Sequence, residues 1–261
     1  MKICYFGDSN PNYSRNRVIT KGLTESGVDI LFSHTTKRGF KGLWDLFKKH
    51  GHLKNKYDIL IVGYSDSRFM VPLAWLISKR KIVWDAFYSL YDSWVFDRGL
   101  VRPGSLKAGY YWFLDWFGCK LADLILLDTN AHIDYFSKTF FIKKSKFIRV
   151  FVGTDDNIFY PKPAQKTSDK FLVHFHGNFI PLQGVEYIIR AGGLLSDYRI
   201  QFQIIGRGQD YEKIKNIATE LNLQNVAWID HVAYEELLDY INQADICLGI
   251  FGKTGKAERV I

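Results

Sequence analysis

Short apolar runs alternate with helix-length segments from one end of this chain to the other. Lys2–Phe6, Val28–Phe32, Ile59–Val62, Ile82–Trp84 and Leu124–Leu127 are runs of strand length. Between them lie helix-length segments, among them 14–26, 40–50, 68–79 and 106–121, the first stopped by Gly27. After Tyr160-Pro161-Lys162-Pro163 and the polar stretch to about Ser168, the rhythm starts again. Phe171–Phe175, Ile200–Ile205, Val226–Ile229 and Ile246–Ile250 read as strands, and 184–195, 211–221 and 234–244 as helices. In the helix over 211–221, Ile214, Ile217, Ala218 and Leu221 share one face. This βαβα order predicts an α/β protein of two Rossmann-like domains with parallel sheets, each sheet covered on both faces. The expected domains are 1–164 and 165–261. A sheet of the second kind usually continues through further βα units, so the second domain reads as incomplete and the chain as C-terminally truncated.

Composition agrees with a globular fold: hydrophobic residues make up 47% and charged residues 24% of the 261. Cys4, Cys119 and Cys247 lie far apart with no CxxC spacing, which suggests neither disulfides nor zinc and fits a cytoplasmic protein. Residues 1–6 are too short for a signal peptide, and the longest apolar run, Phe69–Ile77, is too short to cross a bilayer. The net charge of +8 comes from residues 1–164, which carry +10, the remainder carrying −2. A basic first half attracts anions, whether phosphorylated acceptors or an anionic membrane surface. Its densest stretch, 37–56, interleaves lysines with Phe40, Leu43, Trp44, Leu46 and Phe47. The apolar residues there are expected to pack on the sheet, leaving the lysines for peripheral contact with anionic lipid.

Two strand-to-helix turns carry the chemistry. Gly177-Asn178-Phe179-Ile180-Pro181-Leu182-Gln183-Gly184 opens one helix and Gly206-Arg207-Gly208 the next. Backbone N–H groups and the positive end of a helix dipole suit a diphosphate, and Arg207 adds charge. Two readings stand for the second turn. Gly206-x-Gly208 with Asp230 also imitates a dinucleotide fingerprint, which makes an NAD(P)-dependent oxidoreductase the alternative. Tyr211 occupies the third glycine position of that fingerprint.

From Phe171 to Gly252 the chain resembles the nucleotide-binding half of the retaining glycosyltransferases of family 4 (glycosyl transferase group 1), which have the GT-B fold. The motifs are Gly177 to Gly184, Gly206 to Gly208, Trp228-Ile229-Asp230-His231-Val232, Ala244-Asp245 and Leu248 to Gly252. Val152-Gly153-Thr154-Asp155 with Phe159 and Pro161 resembles the stretch that closes the first domain in that family. The resemblance implies transfer of a sugar from a nucleotide-sugar donor to a glycan or lipid-linked acceptor with retention of configuration. Cell-surface polysaccharide synthesis at the inner face of the membrane is the implied setting, with no cofactor and no metal. It assigns the donor to Gly7, Gly177, Asn178, Gln183, Gly184, Gly206, Arg207, Gly208, His231, Val232, Phe251 and Gly252. Asn178 and Gln183 stand where the family commonly has Arg and Lys on the diphosphate, so Arg207, Lys253 or Lys256 is expected to supply the charge. The family's paired-glutamate motif is not found, although Glu258 lies near where it would begin.

In the first half, Gly7-Asp8-Ser9-Asn10 follows the first strand, in the position where related enzymes bring backbone close to the donor phosphates. Asp85 ends the strand Ile82–Trp84, where the family often has a histidine on the donor sugar. Two readings stand for it: contact with a sugar hydroxyl, or a cap or turn before Ser89. Thr129 closes the strand Leu124–Leu127 on the same edge. Arg15 and Arg17 begin a helix there and suit a phosphorylated acceptor, or are solvated helix cations. His174 and His176 share one face of a strand, while His50 and His52 are expected in a loop; without a third ligand nearby, no metal site follows. No Gly-x-Ser-x-Gly elbow, Walker-type phosphate loop or nucleic-acid motif appears.

Overall fold

The computed structural model describes all residues except Ser9, Arg38, Asp66, 164–168 and Ile261. The chain divides into two compact units, Met1–Thr154 joined by Arg259 and Val260, and Asp155–Glu258. The division falls ahead of the prolines because the chain is already packed in the second unit at Phe159 and Tyr160. The ring of Phe159 lies 4.9 Å from that of Tyr234. Asn242 Nδ2 donates to the Tyr160 carbonyl and its Oδ1 accepts from the Lys162 amide. The later part of the expected linker, 164–168, lies outside the described residues.

The first unit contains β1 (Lys2–Gly7), α1 (Ser14–Glu25), β2 (Asp29–His34), α2 (Gly39–Leu53), β3 (Ile59–Val62) and α3 (Met70–Ile77). It continues through β4 (Lys81–Asp85), a π-helical turn at Asp92–Asp97, α4 (Leu106–Leu121), β5 (Leu124–Leu127), α5 (Asn130–Phe140) and β6 (Phe147–Arg149). The six strands run parallel in the order β2-β1-β3-β4-β5-β6. Order reverses between β1 and β3, so a crevice opens where Gly7 and Val62 end their strands. Apolar side chains cover both faces, which is why these strands read as continuous apolar runs. Phe6, Leu60, Trp84, Leu127, Phe136 and Phe140 form the core under α2 to α5. Ile3, Tyr5 and Ile61 pack with Ile19 and Leu23 of α1 on the opposite face. Phe136 and Phe140 are fully buried, and truncation of either to alanine would cost about 3–5 kcal/mol.

α2 corrects two expectations. Its inward face is set by Gly42, Leu43, Leu46 and His50, and a Cβ at Gly42 would lie 2.3 Å from the Lys37 carbonyl oxygen. That close approach turns the other stripe outward: Phe40 is 82% exposed, and Trp44 and Phe47 are each 52% exposed. His50 and His52 belong to the last turn of this helix, not to a loop, and buried His50 Nε2 meets Tyr57 Oη at 2.5 Å.

The second unit contains β7 (Phe171–His176), α6 (Val185–Leu194), β8 (Ile200–Ile205), α7 (Tyr211–Glu220), β9 (Val226–Ile229), α8 (Leu237–Gln243) and β10 (Ile246–Cys247). Its four parallel strands lie in the order β10-β7-β8-β9, with the switch point between β7 and β10. Val173, Phe175 and Ile204 of the sheet pack with Ile188, Ile189 and Ile214 of α6 and α7. Leu221, expected on the buried face of α7, lies past the helix end and is 43% exposed.

Candidate functional site

At the carboxyl edge of the second sheet the two glycine turns lie side by side. β7 and β8 run in register to His176 and Ile205, so Gly177 and Gly206 leave the sheet together. Gly206 has φ 132°, and a Cβ on it would lie 1.9 Å from the Gly177 carbonyl oxygen. Only glycine allows that conformation and that approach. The turns are laced by main-chain bonds: the Gly177 amide donates to Ile205, that of Phe179 to Arg207, and that of Asp210 to Phe179. A third strand end joins them across the switch point. The Phe251 amide donates to the Gln183 carbonyl and the Gly252 amide to the Leu182 carbonyl, both at 3.1 Å. Gly184, at φ 64°, sits directly against Phe251 and Gly252.

This lacing changes the expected role of the amides. Those of Ile180, Gln183 and Gly184 also donate to loop carbonyls, and that of Gly206 to Ile229. The glycines therefore let three loops approach one another, and many loop amides are committed to holding them there. Gln183 lies against Gly177, its Oε1 3.5 Å from where a Cβ there would sit. Asn178, Arg207, Gly208 and His231 are exposed on the same edge, and Val232 is half-buried.

Arg207 does not point into empty space. Its Nη2 lies 2.6 Å from Asp230 Oδ2, its guanidinium covers the Tyr211 ring, and Tyr211 Oη donates to Asp230 Oδ1. Arg207 holds the Asp230 carboxyl below the usual carboxylate range. Both ends of the pair are more than half exposed, so solvent screens it and it is free to rearrange toward a stronger anion. The Tyr211 ring packs on Phe179 and Trp228. It fills the space that the third glycine of a dinucleotide fingerprint keeps open, and Asp230 is engaged by Arg207, so the oxidoreductase alternative loses its geometric ground.

A cavity of about 330 Å³ lies where α6 and α7 begin, bordered by Gly184, Glu186, Asp210, Lys213 and Lys253. Lys213 Nζ is 2.5 Å from Glu186 Oε2, and that bond draws the Glu186 carboxyl down. Burial pushes Asp210 up. Lys253 lies over the Tyr187 ring at 4.8 Å. Two helix N-termini and two lysines thus converge beside Gly184. Sequence reasoning missed Lys213, whose place in the amphipathic pattern of α7 marks it as a solvated helix cation. Lys256, another expected source of charge, is buried.

Below this edge, buried His174 shares Nδ1 with Gln203 Oε1 at 2.9 Å and Nε2 with His176 Nδ1 at 3.0 Å. Burial lowers the His174 imidazole, and partial desolvation with His174 beside it lowers that of His176, whose outer part is exposed at the strand end. Among the described residues no group of three His, Cys, Asp or Glu side chains is placed to hold a metal ion.

The carboxyl edge of the first sheet is organised by buried polar groups. Asp85 is fully buried and receives Arg15 Nε and Nη2 at 2.7–2.9 Å. It neither caps a helix nor offers an open oxygen, and Arg15 is likewise buried. Gly7 ends β1 at φ 136°. Asn16 ties that loop down: its Oδ1 accepts from Tyr5 Oη and the Tyr64 amide, and its Nδ2 donates to the Asn10 and Tyr64 carbonyls. Arg17 is half-buried on α1. Thr129 caps α5 by accepting the His132 amide, and its hydroxyl donates to the Arg259 carbonyl. His132 Nδ1 lies 2.8 Å from Asp128 Oδ1, both residues being buried. Their separation of four residues, from strand end to first helical turn, was the available signal for this pair.

Two parallel α/β sheets of six and four strands, with loop sites at their carboxyl edges, define a glycosyltransferase fold of the GT-B type. The backbone is similar to HepE of Anabaena in complex with UDP and glucose: TM-score 0.63 at 14% identity, covering 95% of this chain and 74% of that one. It is similar also to sucrose-phosphate synthase of Thermosynechococcus elongatus, with TM-score 0.66 at 14% identity over 97% of this chain and 77% of that one. Residues 156–248 match the family model of glycosyl transferases group 1. The chain is similar to that family over about a third of its length. It is 26% identical over 100 residues, 38% of its length, to the uncharacterized glycosyltransferase MJ1178 of Methanocaldococcus jannaschii. The match spans about a quarter of that relative's length.

Proposed function

We propose that the protein transfers a sugar from a nucleoside-diphosphate donor, held by the second unit, to a glycan or lipid-linked acceptor, with retention of configuration. The observation that carries this reading is the lacing of Gly177–Gly184, Gly206–Gly208 and Phe251–Gly252 into one edge beside the N-termini of α6 and α7. The family match over 156–248 and the UDP and glucose held by HepE support the same donor class.

In this reading the donor diphosphate lies along the laced turns. Lys213, Lys253 and Arg207 supply the cationic charge that Asn178 and Gln183 do not. Charge develops on the departing diphosphate as the glycosidic bond breaks, and groups fixed before the reaction stabilise it without reorganising. His231 and Val232, at the end of β9, are the proposed neighbours of the nucleobase. Retention fits a mechanism in which the departing phosphate helps take the acceptor proton, so no protein nucleophile is required.

The buried Arg15–Asp85 pair gives both residues a positioning role. Arg15 and Asp85 hold the carboxyl edge of the first sheet, on which the acceptor is proposed to lie, and Arg17 remains an acceptor candidate. A cytoplasmic setting with a part in cell-surface polysaccharide synthesis completes the reading. Incubation with UDP- and GDP-sugars tests it, with NMR following both release of the nucleoside diphosphate and the anomeric configuration of the product. An α-linked donor giving an α-linked product is expected; an inverted product contradicts the reading.

A further inference from the structure

A cavity of about 200 Å³ flanks the switch point of the first sheet, bordered among others by Asp8, Thr35, Lys37, Ser67 and Phe69. β1 and β2 run in register to Gly7 and His34, so Asp8 and Thr35 leave the sheet side by side. Ser67 and Phe69 belong to the chain between β3 and α3, across the crevice in which open α/β sheets take their ligands. Gly39 and Gly42 of α2 also border the cavity and put only backbone on that side. It has room for one sugar ring and not for a nucleotide.

Asp8 Oδ1 is buried and meets no hydrogen-bond donor among the described residues. The neighbouring cations are committed elsewhere. Lys37, on the cavity wall, pairs with Asp45 Oδ1, while Lys49 pairs with Asp45 Oδ2 and donates to the His34 carbonyl. Thr35 Oγ1 accepts the Lys37 amide. A buried acceptor left without a donor is destabilising, so its persistence points to a donor that arrives with a ligand. Phe69 adds an aromatic ring to the same cavity and is 54% exposed.

We propose that this cavity binds one uncharged sugar residue of the acceptor, a ring hydroxyl donating to Asp8 Oδ1 and the apolar face of the sugar lying on Phe69. The assignment rests on the transferase reading above and narrows its acceptor. A hydroxyl satisfies the carboxylate, whereas a phosphate would bring a second anion against it. Arg15, a candidate for holding a phosphorylated acceptor, is committed to Asp85. The part of the acceptor read in this cavity is therefore a neutral glycan.

Saturation-transfer NMR tests it with the methyl pyranosides of glucose, galactose, mannose and N-acetylglucosamine, and with inorganic phosphate as competitor. At least one pyranoside should bind, and phosphate should not displace it. Asp8→Asn should weaken that binding roughly tenfold. Phe69→Leu, which keeps an apolar side chain but not the ring, should weaken it roughly threefold. Asp8→Asn should also melt at or above the wild-type temperature, because it removes an unanswered buried charge, whereas loss of a merely structural aspartate would lower it. The proposal is overturned if no pyranoside binds or if phosphate displaces the bound one. It is overturned also if Asp8→Asn binds the sugar as the wild type does, or melts well below it. Titration of the wild type with UDP is read separately. A protein that binds UDP but fails these outcomes loses the sugar site alone, whereas one that binds a pyranoside through Asp8 and no nucleotide keeps the site and loses the transferase reading.

Discussion

Arg15 and Asp85, seventy positions apart, form a bidentate ion pair at the carboxyl edge of the first sheet. Asp85 is fully buried, and Arg15 is 7% exposed with its guanidinium 4.4 Å from the centre of the Phe87 ring. Burial raises the Asp85 carboxyl above its ordinary value, while the Arg15 bonds draw it back. Phe87 itself holds φ 57°, a backbone conformation that costs a bulky residue energy and persists where its surroundings enforce it.

Removing one member of this pair leaves the other buried and uncompensated. Arg15→Ala is expected to cost about 3–5 kcal/mol, and Arg15→Met with Asp85→Leu much less. Arg15→Lys should not restore stability, because an ammonium cannot reproduce the two-pronged contact. Urea unfolding of the wild type, these three variants and the single changes Arg15→Met and Asp85→Leu measures this. A double variant as unstable as the sum of its single changes would deny the coupling.

At the donor edge the sensitive positions are glycines. Gly206→Ala forces a methyl to within 1.9 Å of the Gly177 carbonyl oxygen, so nucleotide affinity is expected to fall by roughly tenfold or more. Gly192→Ala in α6 serves as the control. Its nearest contact would be an ordinary 3.6 Å to Phe202, and the helix should gain up to about 1 kcal/mol. Calorimetric titration with UDP and thermal unfolding separate the two outcomes.

His174 and His176 predict an acid-sensitive second unit. Desolvation lowers both below the ordinary histidine value of 6.5, buried His174 carrying the effect and the more exposed His176 adding to it. The unfolded chain therefore binds protons first as the pH falls, and stability is present above that value and lost below it. The melting temperature should drop between about pH 7 and pH 5, ahead of carboxylate titration. His174→Asn with His176→Asn should give a shallower drop; an unchanged slope would clear these residues.

Much of the fold was legible because the strands are buried on both faces. Ile59–Val62, Leu124–Leu127, Ile200–Ile205 and Val226–Ile229 begin and end where their apolar runs do. α5 and the three-residue β6 were not identified; Phe147-Ile148-Arg149 is too short to show a pattern. The glycine turns were visible as strand-to-helix junctions, but which amides remain open depends on a third loop, Phe251–Gly252, nearly seventy positions from Gly184. Pairs such as Arg15–Asp85, Arg68–Asp115 and Arg207–Asp230 join residues that no local period connects. The outward turn of Phe40, Trp44 and Phe47 was hidden for another reason. On a helix whose apolar residues nearly encircle it, the inward face is chosen by a tight contact such as that of Gly42, which spacing does not record.

The measurement that bears most directly on the donor site is calorimetric titration of the protein with UDP, GDP and NAD, repeated on Lys213→Ala and Lys253→Ala. Saturable binding of a nucleoside diphosphate, weakened roughly tenfold by either substitution, is the predicted result. Binding of NAD alone, or of UDP with an affinity indifferent to both lysines, would contradict it.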